Sequence, residues 1–227
     1  VFSSPTHRAG EVLYTKPLWF KLKLNSFIPH NNQYHEARAK QYSPLSYSGW
    51  LLIPMQGLPD YLEANLNLVF VGFNPGTRSA KVGHYYAGPG NLFWPLLYET
   101  GLIATPLTYR DDARLVEYGI GLTDLVKRST PSSADLSTAE ARAGACVLER
   151  KLLHYAPKVV CFNGKGVYGW YRRQRPVILG VQDDTIGTSR VFVVPSTSAR
   201  NGRISRAEKA ETFHALARFV SQQTGAA

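Results

Sequence analysis

Up to about residue 50 the chain has no settled hydrophobic period. Basic and aromatic residues alternate irregularly (Lys16, Trp19, Phe20, Lys21, Lys23, Tyr34, His35, Arg38, Lys40 and Tyr42) among scattered Pro and Asn. This reads as a loop-rich N-terminal extension over 1–50, with one short strand at 18–24. Past that point the pattern becomes regular, and 51–227 reads as one folded domain. Residues 66–73 form a near-continuous apolar run that stops at Asn74-Pro75-Gly76, as a buried strand does on entering a turn. Leu92, Phe93, Leu96 and Leu97 then recur at helical spacing, which predicts a helix over 91–102. Pro95 falls early enough for a first turn, and Gly101 lies near the end.

The stretch 115–126 mixes glycines with apolar residues and is expected to be a strand leading into a loop. Over 138–155, Ala141, Ala145, Leu148, Leu152 and Leu153 are expected on one side of an amphipathic helix that Pro157 stops. Further strands are expected at 159–162 and 190–194, with a short helix at 165–173 between them. Ser205-Arg206-Ala207-Glu208 has capping-box spacing and opens a last helix through Phe213, Leu216 and Val220. Apolar strands alternating with helices predict the α/β class: a sandwich with a central, mostly parallel sheet.

Charge adds a direction. Lys and Arg total 26 against 16 Asp and Glu, a formal net charge of +10 over 227 residues. That favours polyanionic partners, either nucleic acid or an anionic membrane surface, and does not choose between them. No apolar run approaches the ~20 residues needed to span a bilayer, and residues 1–10 lack the apolar stretch of a signal peptide. Cys146 and Cys161 are the only cysteines, too few for a disulfide framework or a cysteine-ligated iron–sulfur cluster. A reducing interior is expected: cytoplasmic if the source is bacterial, nuclear if eukaryotic.

Open α/β sheets carry their sites outside the carboxyl ends of the strands. Two polar segments fall there, Gly72-Phe73-Asn74-Pro75-Gly76-Thr77 and Pro195-Ser196-Thr197-Ser198-Ala199-Arg200. Taken alone, either is also ordinary turn chemistry. Neither Gly88-Pro89-Gly90-Asn91 nor Gly164-Lys165-Gly166 has the spacing of a P-loop or a dinucleotide fingerprint. The six histidines form no HExxH pattern, and Gly-x-Ser-x-Gly is absent, so metal hydrolysis and serine-hydrolase chemistry lack support. His84, beside Tyr85 and Tyr86, reads equally as a partly buried ring filling a loop.

These segments, with Leu58-Pro59-Asp60 and the run from Gly83-His84-Tyr85-Tyr86 through Gly88-Pro89-Gly90-Asn91-Leu92-Phe93-Trp94, resemble the thymine-DNA glycosylase and mismatch-specific uracil-DNA glycosylase family of the uracil-DNA glycosylase superfamily. The likeness continues through Tyr118-Gly119-Ile120-Gly121-Leu122-Thr123-Asp124, Arg128-Ser129-Thr130-Pro131 and Phe162-Asn163-Gly164-Lys165, in order, over about 57–220. The first fifty residues have no counterpart.

The resemblance implies a three-layer sandwich and a base-flipping hydrolase that needs neither cofactor nor metal. It implies removal of uracil or thymine, and of other modified pyrimidines, from G·U and G·T mispairs in double-stranded DNA, leaving an abasic site; no membrane partner is expected, and the protein is taken as a monomer. Asn74 matches the residue that holds the attacking water. Gly76 stands where faster uracil-specific enzymes have a Tyr that excludes 5-methyl groups, so the wall beside C5 is expected to be open. Tyr86 matches the position that stacks on the flipped base, against the alternative of a core aromatic; Gly72, Phe73 and His84 complete the expected base pocket. Asp124 is the departure, since vertebrate-type members have Asn there and some bacterial ones Lys. A carboxylate there either assists catalysis or merely caps the loop. Ser196 and Ser198 are expected on phosphates, Arg200 in the vacated base stack, and Arg203 and Arg206 along the same basic edge. No lysine occupies a motif position suited to imine formation, so simple hydrolysis is expected. The other reading is a non-catalytic DNA lesion sensor on the same fold.

Overall fold

The computed structural model describes residues 57–173 and 175–225; the N-terminal extension, its expected strand and the boundary at residue 50 lie outside the described residues. The elements are β1 (Leu68–Gly72), α1 (Thr77–Val82), α2 (Phe93–Glu99), a 3-10 segment at Tyr109–Tyr118, β2 (Ile120–Asp124), a 3-10 turn at Ser133–Asp135, α3 (Thr138–Tyr155), β3 (Val159–Asn163), α4 (Lys165–Arg172), β4 (Gly180–Ile186), β5 (Ser189–Val194) and α5 (Arg206–Thr224). The sheet order is β2-β1-β3-β5-β4, parallel throughout except that β4 runs antiparallel to β5 at one edge.

Every residue of β1, β2 and β3 is buried, which explains why β1 and β3 read as near-continuous apolar runs. Successive side chains still point to opposite faces. Leu68 and Phe70, with Val159, Cys161, Phe192 and Val194, join Phe93, Leu96 and Leu97 of α2 and Phe213 and Leu216 of α5 in one core layer. Val69 and Val71, with Val160, Phe162, Val191 and Val193, pack against Leu148 and Leu152 of α3 and Val167, Tyr168 and Tyr171 of α4 in the other. Each fully buried side chain of this kind contributes roughly 1.5–3 kcal/mol. This is the expected three-layer sandwich. The chain steps from β1 to β2 across one face, then reverses and returns through α3 to β3 on the far side of β1. Right-handed crossovers require the helices to change face at that reversal, and the crevice where α/β folds hold ligands opens there.

Helix α3 spans the predicted Thr138–Tyr155, opened by a Ser137–Glu140 capping box, and α5 opens on the expected box of Ser205 and Glu208. Two expectations need correction, and one strand was missed. Leu153 is 52% exposed, because Ala141, Leu148 and Leu152 form the buried stripe and the next residue turns about 100° away. The first part of 115–126 is helical: the 3-10 segment runs to Tyr118, Gly119 turns the chain at φ 70°, and only then does β2 begin. The edge strand β4 was not visible as a strand, since Gln182, Asp183, Asp184 and Thr185 mask the alternation that an edge position tolerates.

Candidate active site

The carboxyl ends of β1, β2, β3 and β5 deliver Gly72, Asp124, Asn163 and Pro195 to one cavity of about 730 Å³, within the range of ligand sites. Phe73, Asn74, Gly76, Tyr85, Tyr86, Thr130, Ser196, Ser198 and Arg200 also line it. The two polar segments singled out in the sequence therefore face one another.

Asn74 is held from one side. Its Nδ2 donates to the Arg128 carbonyl oxygen at 2.9 Å and to Thr130 Oγ1 at 2.7 Å, while Thr130 Oγ1 donates to the Ser132 carbonyl at 2.6 Å. A carbonyl oxygen only accepts, so the atom beside Arg128 must be the amide nitrogen. Both amide hydrogens are thus used, and Oδ1, which has no hydrogen bond among the described residues, remains as an acceptor on a residue that lines the cavity. Arg128 is in turn fixed by Glu140 of α3, with Nε to Oε1 at 2.5 Å. Gly76 would meet nothing within 4 Å of an added Cβ, so the wall at that point is open.

The turn carrying Tyr86 is clamped from two directions. Ala87 donates to Ser79 Oγ at 3.0 Å and accepts from Arg78 Nε at 2.9 Å. The buried Asp112 accepts from the Tyr85 backbone at 2.8 Å and contacts His84 Nδ1 at 3.0 Å. Tyr86 itself sits at φ 53°, one ring face stacked on Phe93 with centroids 3.9 Å apart. His84, expected in the base pocket, does not line the cavity: its ring is spent on Asp112, 28 residues further along the chain.

Asp124 is buried to 5% exposure, and its Oδ2 has no hydrogen-bond partner; nor has the Tyr86 hydroxyl. A Cβ at Gly72 would lie 2.4 Å from Asp124 Oδ1 and 3.3 Å from the Tyr86 oxygen. The strand therefore needs a glycine there for the carboxyl to fit. Burial, above all, pushes Asp124 up to about 6, with Asp60 adding to the rise, while Lys127 and Tyr85 oppose it. Asp124 thus binds its proton more tightly in the folded chain than in the unfolded one. Its contribution to stability is complete below pH ~4 and is lost as pH climbs through 6. Compared with Asp124→Asn, the wild type is expected to lose on the order of 2–3 kcal/mol between pH 4 and pH 7, read from urea midpoints at both pH values. A difference that stays constant with pH would place the carboxyl in a solvated setting instead.

The second polar segment is tied to β3. Thr197 N donates to Asn163 Oδ1 at 3.0 Å and Asn163 Nδ2 donates to Thr197 Oγ1 at 2.9 Å. Ser196 Oγ accepts from Ser198 N at 3.4 Å and Ser198 Oγ from Arg200 N at 3.3 Å, so both hydroxyls support the loop. The nearly buried Lys209 of α5 donates to the Asn201 carbonyl at 3.0 Å. The Arg200 guanidinium reaches across to the Pro131 carbonyl. Arg203 is exposed and outside the cavity lining, and Arg206 is paired with Glu99. Sequence reasoning gave no role to Thr130, Asn163, Asp112 or Lys209. Thr130 and Asn163 carried a signal through the resembling segments 128–131 and 162–165, and Asn163 also as the polar residue that ends a buried strand.

A profile of the Uracil DNA glycosylase superfamily matches residues 59–217. A Schizosaccharomyces pombe protein named G/U mismatch-specific uracil DNA glycosylase is 33% identical over 178 residues, which is 74% of this chain. The chain spans only 55% of that relative's length. Among solved structures, the solution NMR structure of a Methanosarcina acetivorans protein provisionally named a uracil DNA glycosylase aligns with a TM-score of 0.52 and 23% identity. It covers 73% of this chain and 97% of its own. That likeness bears on the fold.

Proposed function

The chain belongs to the uracil DNA glycosylase superfamily, and from that premise we propose that it is a monofunctional DNA glycosylase, a base-excision repair enzyme acting on uracil or thymine in G·U and G·T mispairs. One observation carries the reading: the carboxamide of Asn74, a residue that lines the cavity, is pinned through its nitrogen, which leaves its oxygen free to accept. An amide is a weak base but a good orienter of water. Held there, a water donates one hydrogen to Asn74 Oδ1 and turns a lone pair to C1′ of an extruded nucleoside. The C1′–N bond breaks, the base leaves with the bonding pair, the water oxygen bonds to C1′ and its proton is released. The sugar then carries a hydroxyl at C1′, and the strand remains uncut.

Extrusion costs a few kcal/mol and is cheapest at a mispair, which supplies the preference for G·U and G·T. The free space at Gly76 admits a 5-methyl group. Tyr86 offers the base the ring face that Phe93 does not cover, with Gly72 and Phe73 beside it. Ser196, Ser198 and Arg200 lie on the opposite rim, where the flanking phosphates and the vacated stack would be met, and the formal charge of +10 suits a polyanion. Arg203 and Arg206 extend this edge as phosphate contacts; Arg206 must first leave Glu99.

The test is incubation with an end-labelled G·U duplex in EDTA, followed by alkali. Strand breakage that appears only after alkali is the expected result. A duplex that is bound yet stays inert to alkali would leave a non-catalytic lesion sensor as the better description.

A further inference from the structure

The loop that carries Arg200 rests on a lysine that the fold gains little by burying. Lys209 is the fourth residue of α5 and is only 3% exposed. Burying an ammonium forfeits its hydration, and a helix N-terminus is the end that disfavours a cation. Burial accordingly draws its pKa below the usual lysine value. The group has three N–H donors, and among the described residues one acceptor meets them, the Asn201 carbonyl at 3.0 Å. Asn201 in turn closes the loop. Its N–H donates to the Ser198 carbonyl at 3.0 Å and its Nδ2 to the Ser196 carbonyl at 3.2 Å. Upstream of Arg200 the loop is fastened twice: to β3 through Thr197 and Asn163, and to the start of α2 by Leu92 N, which donates to the Thr197 carbonyl at 3.0 Å. Downstream, the bond from Lys209 is the one hydrogen bond among the described residues that ties 201–204 to a helix.

We infer that Lys209 is a positioning residue whose ammonium anchors the downstream end of the 196–201 loop and so holds Arg200 at the rim where it meets a duplex. The inference rests on the glycosylase reading for the duplex, and on the geometry alone for the loop. Methionine has nearly the same length and fills the same space, but it cannot hold a carbonyl. Without the anchor, the residues around the loop tip stay free until DNA orders them, and that ordering is subtracted from binding. Freezing one backbone residue amounts to about a tenfold change in an equilibrium. The same substitution removes a buried charge, so the fold itself loses nothing. Order in the loop and stability of the domain therefore move apart, which a purely structural lysine would not allow.

Single-turnover excision of uracil from a G·U duplex, run over a range of protein concentrations, tests this. Lys209→Met should raise the half-saturating concentration about tenfold, keep the saturating rate within about threefold, and leave the urea midpoint at or above the wild-type value. In an Arg200→Ala background the same substitution should change half-saturation by less than about twofold, because the group it positions is gone. An unmoved half-saturation in the wild-type background overturns the inference. So does an equal loss in the Arg200→Ala background, or a midpoint lowered in both Lys209→Met and Lys209→Leu. If the wild type leaves G·U intact, the glycosylase reading fails by itself. The anchor is then decided by amide hydrogen exchange. Arg200 and Asn201 exchanging about tenfold faster in Lys209→Met, with α5 unchanged, supports it, and unaltered exchange overturns it.

Discussion

Asn74→Ala is expected to lower single-turnover excision by about a hundred- to a thousand-fold, the usual cost of removing one preorganised polar contact at a reacting centre, while duplex affinity changes only a few-fold. The asymmetry follows from what the side chain touches. Its nitrogen bonds the Arg128 carbonyl in an exposed position, where water can take its place, and Thr130 Oγ1, which keeps its own bond to Ser132. The fold therefore loses roughly 1 kcal/mol, whereas the attacking water loses the acceptor that aims it. Parallel measurement of rate, duplex binding and urea midpoint separates the two effects. Wild-type rates in the variant would take Asn74 out of the chemistry, and equal loss of binding and rate would make it a contact for the duplex.

Gly144→Ala is expected to destabilise the protein by about 1–3 kcal/mol, against the helix propensity of the two residues. Alanine is favoured over glycine inside a helix by about 1 kcal/mol. Here the helix lies so close to the loop after β2 that an added Cβ would sit 2.1 Å from the Leu125 carbonyl oxygen and 3.2 Å from a Val126 methyl. That oxygen has little room to yield. Leu125 N is bonded to the Gly72 carbonyl and Val126 N to the Phe73 carbonyl, both at 2.9 Å. Either α3 moves outward or the loop leaves β1, and overpacking of this kind costs ~1–3 kcal/mol or more. Because the loop runs from Asp124 to Arg128, the partner of Asn74, excision should fall together with stability. A urea midpoint at or above the wild-type value would mean that α3 sits less tightly on the loop.

The features legible beforehand were those written locally. The buried strands, the span of α3, the Ser205 capping box and the strand-end placement of 72–77 and 195–200 all depend on residues within a turn or two of each other. What escaped depends on partners distant along the chain. His84, expected in the pocket from the resemblance with a loop-filling ring as the alternative, contacts Asp112 instead, and Arg206, expected along a basic edge, pairs with Glu99, 107 residues away. Ion pairs and a hydrogen bond join positions 60, 85, 127 and 151, which the parallel sheet and α3 bring together. No periodicity records such a meeting. The polar edge strand was overlooked for the complementary reason: exposure on one side allows a composition that does not announce a strand.

The link from Arg200 to the Pro131 carbonyl has a bearing on how contact with a duplex is counted. In the free protein one N–H of that guanidinium is already committed to the opposite lip of the cavity. If Arg200 enters a duplex as proposed, it exchanges acceptors, and only the surplus of the new bond over the old reaches the measured affinity. On that reading, the net gain from Arg200 is smaller than its number of donors suggests.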